Sequence, residues 1–358
     1  IYRILGDSKD QFISINFWKN SVLKSDDSKI DHLKKITENN NFLLKKNDIF
    51  INTEEFHIKE KIIIPTGYRL IINPGTKLIF EKNSSLISYS PILSVGSKEK
   101  PIIIKSNFNK SLSEFRKRNI YSEEYGEGIL ILNSDKKSLF INTIFRNLSS
   151  PNAGSANGLS GSLNLYNTEV DIIDSKFFDN IYGDDYVNII KSNFLIKDSY
   201  FENTNADALD IDFSNGKILN STFNNSINDS VDFSGSNVLL DNIRIFYAGD
   251  KAISVGEQSK IVISNSYIQA SHFGLVAKDK SVIEGNNITI TNNDIGVAAY
   301  IKKSEYGPAE IKLTNSQLEK NEINIFNQKF SKIKINNKDI DSINCKNEKK
   351  VCSYVLEE

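Results

Sequence analysis

The chain is predicted to be all-β and to fold as a right-handed, single-stranded parallel β-helix. Three observations predict this: a repeat near 22 residues, alternating apolar columns inside it, and no helical spacing in those columns. An Asx residue carries the period, at Asp198, Asn220, Asn242, Asn265 and Asn287, with steps of 22, 22, 23 and 22 residues. Asp174 and Asn315 extend the series at steps of 24 and 28, which leave room for longer turns.

Apolar columns stand at fixed offsets from the Asx. Val170, Phe194, Val238, Ile261, Ile283 and Ile311 lie four residues before it, with Gly216 in the same column. Ile172, Ile196, Ile218, Leu240, Ile263 and Leu313 lie two before it, and Phe177, Phe201, Phe223, Ile245, Ile268, Ile290 and Leu318 three after it. Spacing of two with β-branched and aromatic side chains marks a short strand with one buried face. A second strand is read at Val187/Ile189, Leu209/Ile211, Val231/Phe233, Ile253/Val255, Leu275/Ala277 and Val297/Ala299, again 22 residues apart. One coil cannot bury these residues alone, so coils must stack, about 4.8 Å apart. The Asx column itself is read as structural, because Asn and Asp suit turns and stacked amides can bond along the solenoid.

In chain order, residues 1–57 form an N-terminal segment and cap, short and helical or irregular. IDHLKKIT at 30–37 suits a short helix with Ser28 as its cap, and a covering element would protect open strand edges. The β-helix is expected over 58–330, where Pro65-Thr66-Gly67 and Asn73-Pro74-Gly75 punctuate the early strands as turns. Two stretches break the period, a charged one near 105–126 and a small polar one at 147–162; projecting loops of this kind often carry function. Residues 331–358 close the other end.

With 358 residues, 39% of them hydrophobic, the chain has material for one extended core. Net charge of −1 argues against a general nucleic-acid partner, and no apolar run reaches the roughly 20 residues of a membrane span. The sequence begins with Ile and contains no Met, so it reads as a fragment or processed product whose export signal would lie upstream. Cys345 and Cys352 are close enough in sequence for a small disulfide, which would suit an oxidising compartment.

These repeats resemble the right-handed β-helix repeats of the pectate-lyase-like superfamily, from Ile62 to about Asn327. More narrowly, IINPGTKLIF, ALDIDFSNGKILNSTF, SVDFSGSNVLLDN and AGDKAISVGE resemble the β-helix region attached to bacterial CotH-kinase-like proteins. The resemblance implies an exported or cell-surface bacterial protein with a carbohydrate-related role, and a polysaccharide or surface glycan as partner. It implies no kinase activity, since the chain has no Gly-rich phosphate loop or catalytic Asp motif. The Asp-Pro-His-Glu motif of mannuronan epimerases is absent. Gly183-Asp184-Asp185 lacks the Gly-His-Gly and Arg-x-Lys partners of polygalacturonases.

The second strand carries a column of acids. Asp207, Asp229 and Lys251 are in register, as are Asp210 and Asp232. Stacked carboxylates must share a proton, bind a cation or lean apart. As catalytic groups Asp207, Asp210, Asp229, Asp232, Lys251 and His272 are the candidates, His272 standing between Asp250 and Asp294 at the same period. Asp184, Asp185 and Asp212 are the candidate ligands for Ca²⁺, the one cofactor that the sequence suggests. The plainer alternative makes these acids turn-formers, with Asp229 and Lys251 an exposed ion pair and His272 a solvated surface residue. Tyr182, Tyr186 and Tyr247 are candidate faces for sugar rings. Two functions follow: a non-catalytic module that binds surface polysaccharide or serves as a rigid scaffold, or a polysaccharide lyase or glycoside hydrolase. Turn chemistry and the missing motifs favour the first.

Overall fold

A computed structural model describes residues 27–108, 127–150, 159–343 and Cys352. The repeat forms coils that stack in parallel, and residues one period apart become neighbours. Val187, Leu209, Val231, Ile253, Leu275 and Val297 fall in a single ladder. The chain is a parallel β-solenoid.

Each regular coil has three strands where the sequence suggested at least two. In the coil around Asn220 they are Asp207–Asp212, Asn215–Leu219 and Thr222–Ser226. The Asx is the corner between the second and third. Asp198, Asn220, Asn242, Asn265 and Asn287 all adopt positive φ, between 50° and 57°, a left-handed geometry that Asn and Asp accept better than other side chains. Their amides then bond up the stack: Asn220 donates to Asp198 at 3.0 Å, Asn242 to Asn220 at 3.0 Å and Asn287 to Asn265 at 2.8 Å. Asn265 departs from the column and donates to Asp241 at 2.8 Å.

The first strands of the coils make an eleven-stranded sheet, and the other two sets are joined in a 23-stranded one. All three apolar columns point into one continuous core. Within it Phe145, Phe177, Phe201 and Phe223 stack face to face, with centroids 4.6, 4.5 and 4.7 Å apart. Gly216 breaks an apolar column because the Phe194 ring fills its place; a Cβ there would come within 2.6 Å of two ring carbons.

The N-terminal helix runs over Asp27–Glu38. It starts ahead of Ser28, which is therefore inside the helix and not its cap. An antiparallel hairpin, Phe42–Lys45 with Asp48–Ile51, follows it. Parallel stacking begins at Asp48–Ile51 against Arg69–Ile72 and ends at Glu310–Thr314 against Lys332–Ile335. A second antiparallel hairpin, Lys332–Ile335 with Lys338–Ile340, follows that last pairing. The first expected insertion falls mostly on 109–126 and half of the second on 151–158, outside the described residues, as does Cys345. Cys352 is buried and disulfide-bonded. Among the described residues no helix is long and apolar enough to cross a membrane.

Candidate functional site

The outer face of the eleven-stranded sheet holds the acids. Its central row runs Ile63, Ile87, Leu130, Asn164, Asn188, Asp210, Asp232, Ser254, Val276, Ala298 and Phe326, one residue per coil. Three apolar residues, five polar ones and three apolar ones follow one another. At the N-terminal end Ile87, Leu130 and Leu132 form a small cluster with Leu159 and Tyr166. At the C-terminal end Val276, Ala298 and Phe326 pack with Phe273, Tyr300, Ile343 and Cys352. Only the middle coils leave a polar strip.

The acids divide by what holds them. At the start of the strands, Asp207 Oδ1 accepts from the backbone N–H of Asp229 at 2.8 Å and from Asn228 Nδ2 at 2.7 Å. Asp229 Oδ1 accepts from the backbone N–H of Lys251 at 2.8 Å. These two carboxylates thus stitch successive coils. Asp210 accepts from Asn188 Nδ2 at 2.8 Å, and Asp232 lies 3.8 Å from Lys278 Nζ; both stand mid-strand and half-buried, facing outward, and Asp212 ends the same strand as Asp210. Asp185, one coil below Asp207, is buried and accepts from the Ser160 hydroxyl.

Burial and crowding shape their titration. Loss of solvent pushes Asp207 up to about 7, with the Asp229 amide opposing and Asp232 adding to the rise. Asp212 is pushed up to about 6 by burial and by the charges of Asp232 and Glu257. Asp185, Asp210 and Asp229 are driven well above the usual carboxylate range, chiefly by burial, and for Asp229 the Lys251 charge opposes the rise. The values of Asp207 and Asp212 mark groups that hold protons toward the neutral range.

Lys251 and Asp229 are not an exposed ion pair. Both are buried, and the Lys251 ammonium pairs with Asp250 while its backbone N–H serves Asp229. His272 pairs with Asp294 through Nδ1 at 2.7 Å and meets the Phe273 ring edge-on at 4.6 Å. It lies at the corner just before the strand, beside the strip. Tyr186 is fully buried, its hydroxyl donating to the Phe178 carbonyl at 2.9 Å, and offers no face to a ligand. Tyr182 and Tyr247 are exposed.

For a cation, the structure brings together Asp207, Asp229 and Asp232, each with an oxygen within 4.8 Å of the others. Three carboxylates supply part of the six to eight oxygens that Ca²⁺ takes. Asp212 is too far along the strand to join them, five residues and roughly 16 Å from Asp207. Asn188 Oδ1 and Ser254 Oγ flank the Asp210–Asp232 pair in the central row, buried and without a hydrogen-bond partner. The period alone did not distinguish them, because Asn and Ser recur throughout the coils.

No family model and no curated protein matches the sequence. Solved structures do match. A point mutant of the periplasmic alginate epimerase AlgG superposes with a TM-score of 0.52 at 13% identity, covering 84% of this chain and 90% of that one. The likeness is one of fold. AlgG without that mutation gives 0.51 at 12% identity, over 82% and 78% of the two chains. PfbA, a surface adhesin of Streptococcus pneumoniae, gives 0.39 at 12% identity over 77% and 84%, too low to carry an argument.

Proposed function

We propose that the protein is a non-catalytic β-helix module that binds polysaccharide along the outer face of its eleven-stranded sheet. The observation that carries this reading is the central row, in which Asn164 to Ser254 form a polar strip between apolar ends. Asn164, Asn188 and Ser254 are buried in that row, Asn164 bonded to Gly161 through both amide atoms, and the half-buried Asp210 and Asp232 are the members open to a polar ligand. Carboxylates and amides repeating at about 4.8 Å suit a chain of hydroxyl groups. Asp207 and Asp229 are engaged by backbone amides, which leaves Asp210, Asp212 and Asp232 to face that ligand.

An exported, surface or extracellular location accords with this reading. The disulfide at Cys352 suits an oxidising compartment, the similar fold of AlgG belongs to a periplasmic protein, and the CotH-associated β-helix resemblance points the same way.

Electrophoresis through gels carrying neutral or acidic polysaccharides, with and without Ca²⁺, tests the reading. Retardation of the protein with no change in glycan length is expected, weakened in Asp210→Asn and Asp232→Asn. Free migration in every gel would refute it.

A polysaccharide lyase or hydrolase is the second reading. One observation favours it: Asp207 and Asp212, pushed to about 7 and 6, hold protons near neutral pH as a general acid must. New reducing or unsaturated ends that disappear in Asp207→Asn would establish it.

A further inference from the structure

We infer that Phe213 is an aromatic platform on which one ring of a neutral, equatorially substituted hexopyranose chain stacks, an inference that rests on the polysaccharide-binding reading. Phe213 sits at the corner that leaves the eleven-stranded sheet, directly after Asp212. The same corner in other coils is Asn133, Asn167, Lys191, Gly235, Glu257 and Asp279, all at positive φ. Those are polar residues or glycine. Phe213 has φ 49° and is 60% exposed. A left-handed conformation is uncommon for a bulky residue, and an exposed ring recovers little of that cost through burial. The corner imposes that conformation in all seven coils, so the exposed aromatic side chain, not the backbone, sets Phe213 apart.

The ring is nonetheless seated. It lies over Gly235 of the next coil, where an added Cβ would come 2.6 and 2.8 Å from Cδ1 and Cε1 of Phe213. A side chain at position 235 would displace the ring. Gly235 thus lets the Cδ1–Cε1 edge of the ring settle against the next coil and leaves most of the ring to solvent, at the end of the strand that carries Asp210 and Asp212.

That pairing selects a ligand class. An equatorially substituted pyranose shows C–H groups on its faces and hydroxyls on its rim. Its face fits an aromatic ring, and its rim hydroxyls reach carboxylate acceptors. A uronate would bring a further charge beside carboxyls that burial already drives toward the protonated form, surroundings that disfavour added negative charge. The preferred chain is therefore neutral.

Phe330 supplies an internal control. It lies in the turn that leaves the last strand of the sheet, three residues after Asn327, with φ 79° and 72% exposure. Its coil ends the row at Phe326, where the outer face is apolar.

The experiment compares retardation in gels of hydroxyethylcellulose, alginate and polygalacturonate. Phe213→Asn keeps the corner, as Asn133 and Asn167 show, and circular dichroism verifies its fold. It is expected to bind hydroxyethylcellulose about tenfold more weakly, a change of about 1.4 kcal/mol. Phe213→Trp should retain binding and shift its emission when the glycan is added, and Phe330→Asn should bind as the parent does. Unchanged binding in Phe213→Asn, equal loss in Phe330→Asn, or retention by the two polyuronates alone would overturn the platform while leaving polysaccharide binding in place. Absence of retention by any glycan would overturn both.

Discussion

The two faces of the eleven-stranded sheet are made by the same strands and obey different rules. Inward, Leu163, Val187, Leu209, Val231, Ile253, Leu275 and Val297 repeat one kind of side chain in coil after coil, all buried. Outward, the row next to it passes from Ile63 to Asp210 to Phe326. A constant environment selects a constant residue, and the core is the same in each coil. The outer face is free to vary, and where it becomes polar in the middle coils it acquires an environment that the fold does not require.

The inner face should show the largest effect. Phe201 is stacked between Phe177 and Phe223 at 4.5 and 4.7 Å, and Phe201→Ala is expected to cost about 3–5 kcal/mol. Denaturant unfolding measures this; a loss under about 1 kcal/mol would mean that the stack is loosely packed.

On the outer face the sign reverses with pH. An unfolded Asp207 releases its proton near its ordinary value of 3.8, whereas the folded one holds it to about 7. The folded state binds more protons between those values, so stability falls as pH rises through the window. The melting temperature is expected to drop between pH 5 and 7.5. Asp207→Asn, which keeps the side-chain oxygen that accepts from Asp229 and Asn228, should flatten that drop; a parent profile already flat would break the contrast between the faces.

The corners between strands test a smaller term. Asn242→Ala loses the 3.0 Å bond to Asn220 and places alanine at φ 53°, at a cost of about 1–2 kcal/mol. Asn242→Gly should recover the backbone share, which a matched pair of melting curves would reveal. Smallest is the exposed pair of Lys137 with Asp171 at 3.1 Å, where Lys137→Ala is expected to shift stability by less than about 0.5 kcal/mol in the same assay.

Most of the fold was legible because coil stacking turns sequence period into spatial contact. Leu209, Val231 and Ile253 are neighbours for the same reason that they are 22 residues apart. The acidic strip was legible as a column for that reason too. Its burial was not. Whether Asp229 faces water or the backbone of the next coil depends on the third dimension of the corner, and the exposed pair with Lys251 was the natural expectation. Tyr186 shows the same limit: strict alternation would send it outward beside the core-facing Val187, yet it packs in the core as well, at a position that the strand pairing skips. Phe213 carried a signal that went unread, an aromatic residue where other coils have a polar residue or glycine.

Because the backbone of each coil pairs only with the coils above and below it, the molecule has the properties of a ruler. Splicing in one more 22-residue unit below Asn164 would lengthen the body by about 4.8 Å and carry the polar strip that much farther from the N-terminal helix, its internal spacing intact. Reach and recognition are therefore separable traits in this architecture, and inheritance could adjust the first by duplication without touching the second.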